Sequence, residues 1–145
     1  MDNNISIGNA GEYFVAGELE RRGFTCAVPM SNTKDFDILV INRENNNQYA
    51  IQVKTTRYKK KNWTLGKKSE SLEGNNIYYI FVALNNLEHP EYHIVPSKIV
   101  AKQVRDSYQT WLITPGKHGQ PHKDNPIRKF NDEKNIYLSR CDLLK

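Results

Sequence analysis

At 145 residues the chain fits one domain better than two, and a domain of this size buries enough surface to fold without disulfides or a structural metal. Its two cysteines, Cys26 and Cys141, stand far apart and outside any C-x-x-C spacing, which argues against a disulfide framework or a zinc site and fits reduced thiols in the cytoplasm. The net charge of +5 at pH 7 agrees with a polyanionic partner, while no apolar run approaches the roughly 20 residues of a membrane span.

The polar start, Met1 to Asn4, has no apolar stretch behind it, so no standard secretion signal is expected. Ile5 to Arg22 is predicted helical. Asn9 or Ser6 offers a cap, Arg21 and Arg22 sit at the negative end of the dipole, and Gly23 suits the residue after the helix. Strands are expected at Phe24 to Pro29, at Asp37 to Ile41 and, after a turn at Asn42 to Asn47, at Tyr49 to Thr55. Arg57 to Asn76 is polar and basic, the composition of a long loop or lid. Ile77 to Leu84 is almost continuously apolar, as a strand buried on both faces would be. Tyr92 to Val95 is a short strand ended by Pro96, and Ser97 is placed to cap a helix reaching about Leu112.

Thr114 to Pro126 holds Pro115, Pro121, Pro126, Gly116 and Gly119 and is a loop, after which Asn135 to Leu144 packs a short element back on the body. The order predicts a single α/β (α+β) domain over 1–145, with a mixed central sheet flanked by helices. Its core is expected over about 5–112, with a C-terminal loop and short element over 113–145.

Alternation along the third strand puts Ala50, Gln52 and Lys54 on one face and Tyr49, Ile51 and Val53 on the other. Asp37 opens the preceding strand on the side of Leu39 and Ile41, and the hairpin can bring it close to Gln52 and Lys54. The same residues would also suit the polar outer face of an edge strand. On the first helix Glu12 shares a stripe with Val15, Ala16 and Leu19, so it faces the core. A carboxylate there needs a cation, either a metal ion or a lysine such as Lys54. Asp37, Gln52 and Glu12 together present hard oxygen donors of the kind magnesium takes, and Lys54 adds a point charge.

Gly11-Glu12, Asp35-Phe36-Asp37-Ile38-Leu39-Val40 and Ile51-Gln52-Val53-Lys54-Thr55 resemble the PD-(D/E)XK nuclease superfamily, the restriction-endonuclease-like group, and small bacterial and phage members of it most of all. The resemblance implies an αβββαβ core and hydrolysis of DNA phosphodiester bonds with Mg2+ or Mn2+. It implies catalytic roles for Glu12, Asp37, Gln52 and Lys54, the first three as metal ligands. RNA is an alternative substrate, and a homodimer is one assembly the fold allows, although no segment encodes a dimer surface. Two positions depart from the pattern. Phe36 stands where proline often precedes the aspartate, and Gln52 replaces the usual Asp or Glu.

Arg57, Lys59, Lys60, Lys61, Trp63, Lys67 and Lys68 mix cations with an aromatic, as nucleic-acid-binding loops do. His118 and His122 are four apart, but Gly119 and Pro121 between them argue against a two-histidine helix face. Two other functions fit: a catalytically silent module of the same fold, which Gln52 would explain, and a metal-free ribonuclease using His118 or His122.

Overall fold

A computed structural model describes residues 3–29 and 36–145. Helix α1 (Asn4–Arg21) opens the chain, followed by β1 (Phe24–Ala27), β2 (Ile38–Asn42) and β3 (Gln48–Thr56). Next come β4 (Asn62–Gly66), a 3-10 turn (Lys67–Glu70), β5 (Ile77–Ala83) and β6 (Glu91–Pro96). Helix α2 (Ser97–Ile113), β7 (Ile127–Asn131) and a 3-10 turn (Cys141–Leu144) complete it.

The main sheet runs β1-β2-β3-β5-β6, antiparallel except where β3 and β5 pair in parallel. β3 is therefore central, which removes the edge-strand reading of Gln52 and Lys54. One face of the sheet packs on α1, whose buried residues Gly11, Val15 and Leu19 recur every four. They meet Ile38, Val40, Ile51, Val53 and Ile80, each of which gains about 1.5–3 kcal/mol when fully buried. The other face packs on α2 and on a two-stranded ribbon, β4–β7. That second core contains Trp63, Leu65, Tyr79, Phe81, Val100, Val104 and Phe130.

Several expectations need correction. The connection from β3 to β5 is neither a plain loop nor a helix: Trp63 and Leu65 alternate with exposed residues and make β4. Its partner β7 lies far along the chain, so the period-two signal had no nearby hairpin to announce it. The long helix follows β6, as expected for Ser97 to about Leu112, and does not lie between β3 and β5 as an αβββαβ order implies. The core also extends past 112, since Phe130 and Leu144 are fully buried.

Both helix caps differ from expectation too. Asn3 caps α1, its Oδ1 accepting from the Ser6 N–H at 2.7 Å, so Ser6 and Asn9 lie inside the helix. Pro96 occupies the cap position of α2 and Ser97 makes no cap bond. Its hydroxyl instead exchanges two 3.1 Å bonds with the backbone of Gly74, tying the β4–β5 connection to α2. Gly23 does follow α1 with φ of +101°, where a side chain would be strained.

Among the described residues no helix is long and apolar enough to cross a membrane.

Candidate active site at the end of β2 and β3

Asp37 sits one residue before β2 yet still belongs to its ladder. Its backbone N–H donates to Ile51 O at 2.8 Å, just ahead of the β2–β3 register, which begins with Ile38 opposite Ile51. The side chain then turns across to β3, where one carboxylate oxygen accepts the Val53 N–H at 2.8 Å. Strand amides point along the sheet, so this bond holds the carboxylate near the sheet plane rather than on either face. Its other oxygen makes no hydrogen bond among the described residues. Asp35, part of the same motif, lies outside the described residues.

Glu12 arrives from the α1 side. Its neighbour Gly11 lies against Thr55 of β3, so closely that a Cβ there would collide with the threonine hydroxyl. A glycine at this one position lets the helix descend onto the strand and carries Glu12 to the sheet's end. The Glu12 carboxyl is pushed above its usual range, first by burial and then by the negative charge of Asp37. Among the described residues neither carboxylate has an ion-pair partner, and Lys54 makes no ion pair with Glu12.

Gln52 and Lys54 approach from the opposite face, as alternation predicts. Both are partly buried and line one cavity of about 360 Å³ between β3 and the Lys67–Glu70 turn. Tyr79, beside Gln52 in the β3–β5 register, and Lys68 share that cavity. Sequence reasoning missed Tyr79 because its apolar strand shows which residues are buried, not which neighbour a parallel register supplies.

The oxygen donors suit a hard divalent cation. Two carboxylates in electrostatic range, with no described cationic side chain paired to either, are the situation such an ion relieves, and the Gln52 amide oxygen is a further donor of the same kind. Among the described residues no group of three or more His, Cys, Asp and Glu side chains is placed to hold a metal.

The basic stretch divides. Arg57, Lys59 and Lys60 are exposed at the end of β3, with Arg57 and Lys60 near the Tyr58 ring at 5.7 and 5.4 Å. Lys67 and Lys68 are exposed on the turn. Trp63 is not a base-stacking residue: it is 2% exposed, its Nε1–H donates to Val82 O at 2.9 Å, and it packs on Phe81 and His93. Lys61 is also committed, paired with Glu91 at 3.0 Å and bonded to Asn135. His122 stacks on Trp111 with ring centroids 4.0 Å apart, and the turn around His118 is not helical.

Two solved structures share this arrangement of elements. A bacterial homing endonuclease, I-Ssp6803I, matches with a TM-score of 0.59 and 12% identity, over 99% of this chain and 92% of its own. The Holliday junction resolvase Hjc of Archaeoglobus fulgidus matches with a TM-score of 0.51 and 15% identity, over 90% of this chain and 86% of its own. The fold is restriction-endonuclease-like. No protein-family model and no curated protein matches the sequence. Within a restriction-endonuclease-like frame, the β2–β3 end with Asp37, Gln52 and Lys54 is the part of the sheet that the sequence motifs single out.

Proposed function

We propose that the protein is a magnesium- or manganese-dependent nuclease that hydrolyses DNA phosphodiester bonds at Glu12, Asp37, Gln52 and Lys54. The observation that carries this reading is the Glu12–Asp37 pair, two carboxylates near each other and unneutralised by any described side chain, beside β3, which presents Gln52 and Lys54. The two nuclease neighbours support it through their fold.

Asp37, held by the Val53 amide, and Glu12 would hold the cation, with Gln52 as a neutral third donor. When bound, such an ion polarises the phosphate and lowers the pKa of an attacking water. Lys54 orients that water or offsets charge that develops on the phosphate oxygens. Water adds to phosphorus, one P–O ester bond breaks, and a phosphate monoester and an alcohol leave.

The test is a cleavage assay on plasmid, branched and single-stranded DNA with magnesium, manganese or EDTA. Cleavage that requires the ion supports the reading, and cleavage that survives EDTA overturns it. The neutral Gln52 favours a second reading, a module of this fold that binds nucleic acid and has lost its reaction. In that case DNA binds and no ion yields a product.

A further inference from the structure

The cavity between β3 and the Lys67–Glu70 turn has a chemistry distinct from the carboxylate pair. Lys54 and Lys68 line it together with Gln52, Ser69, Ser71 and Tyr79, and no described carboxylate does. The neighbouring acids point elsewhere, with Glu70 paired to Arg128 at 2.6 Å and Glu73 to Arg105 at 2.9 Å. The wall is thus a place for an anion.

Tyr79 gives that wall a specific donor. The residue is only 2% exposed, and its ring lies flat against Phe81, with centroids 5.3 Å apart. No ring face is left for stacking on a base. Its hydroxyl nonetheless has no hydrogen-bond partner among the described residues, and burial raises its pKa to about 12, so it keeps its proton throughout the neutral range. The ring is buried but the hydroxyl is open to the cavity, where its O–H is a donor that a ligand oxygen can take. In the β3–β5 register it stands beside Gln52.

The geometry points to this cavity as a seat for a backbone phosphate next to the one cleaved, with the Tyr79 hydroxyl donating to its oxygen and Lys68 supplying countercharge. Its place beside the cleaved phosphate rests on the nuclease reading, whereas the binding itself does not. The seat needs no metal, because its donors are an O–H and ammonium groups.

The experiment measures anisotropy of a fluorescent DNA duplex with the full chain in EDTA, for wild type, Tyr79→Phe and Lys68→Gln. Tyr79→Phe keeps the ring and its packing and should weaken binding roughly tenfold, as loss of a hydrogen bond to a charged group does. Lys68→Gln should reduce the slope of log K against log salt by about 0.9. With magnesium present, Tyr79→Phe should raise KM and leave kcat unchanged. Unchanged affinity in Tyr79→Phe, or a fall in kcat with KM unchanged, overturns the seat. Wild-type protein that binds DNA but cuts none, with the Tyr79→Phe loss intact, would overturn the nuclease reading and leave the seat standing.

Discussion

A Cβ on Gly11 would lie 1.8 Å from Thr55 Oγ1, so α1 and β3 meet at a distance no side chain permits. The close approach matters because Glu12 is the next residue. Gly11→Ala must push the helix off the sheet or distort Thr55, and overpacking of this kind costs about 1–3 kcal/mol. Gly17 sits exposed in the same helix, with open space where a Cβ would stand. There, Gly17→Ala should stabilise by up to about 1 kcal/mol, the ordinary helix preference. Urea unfolding of the two variants should move in opposite directions. Equal shifts would show that the helix has room to spare at Gly11.

Glu12 gives a pH test. Its folded-state pKa is raised above the unfolded value of about 4.5, so between the two values the folded protein binds more protons than the unfolded chain. The ion-free protein should therefore lose stability as pH rises through that window, and Glu12→Gln should escape the loss. In EDTA at neutral pH the variant should melt higher than wild type, with the gap closing toward pH 4. Magnesium or manganese should raise the wild-type Tm and the variant's much less. Thermal melts across pH, with and without the ion, decide it.

The basic segment separates a packing residue from binding residues. Trp63→Ala empties part of the second core and should cost about 3–5 kcal/mol in unfolding free energy. Lys59→Ala with Lys60→Ala removes two exposed cations and should leave stability within about 0.5 kcal/mol. That double change should flatten the salt dependence of DNA binding by about 0.9 for each phosphate the two lysines neutralise. Lys61 is left intact because its Glu91 pair would confound the measurement. An unchanged slope would mean that this end of β3 is merely a solvated surface.

What could be read from sequence follows the range of the interactions involved. Glu12 on a helical stripe, and Gln52 beside Lys54 on one strand face, are consequences of periods of 3.6 and 2, which act over a few residues. Asp37 needed only the β2–β3 hairpin. Trp63 was misplaced because the residue that covers it, Phe130, belongs to a strand from the far end of the chain. Composition marked its neighbourhood as basic, but the alternation of Trp63 with Leu65 was the stronger fact. Tyr79 depended on a parallel pairing whose register no local pattern carries. Asn3 displaced Ser6 as the cap of α1 because the helix begins earlier, a choice of one turn that several polar residues allowed.

The last prediction separates the cation's ligands from the residue that acts on water. Asp37→Ala removes the acceptor of the Val53 N–H and should cost about 1–3 kcal/mol, so loss of ion binding in that variant alone would be ambiguous. Asp37→Asn keeps an oxygen for that amide and loses the charge. It should fold with near wild-type stability yet bind magnesium or manganese far more weakly, and cleave no DNA. Lys54→Ala should bind the ion as wild type does but cut about 10²–10³ times more slowly, because an ammonium group is not a ligand. Gln52→Glu adds a third carboxylate and should tighten the ion, with activity equal or higher. Calorimetry with each ion, run beside the cleavage assay, follows both properties in every variant. Lys54→Ala that loses ion binding, or Asp37→Asn that keeps it, would sink the assignment of these roles. Wild-type protein that binds no ion and nicks no DNA, with Gln52→Glu restoring both, would place the lost reaction at that one glutamine.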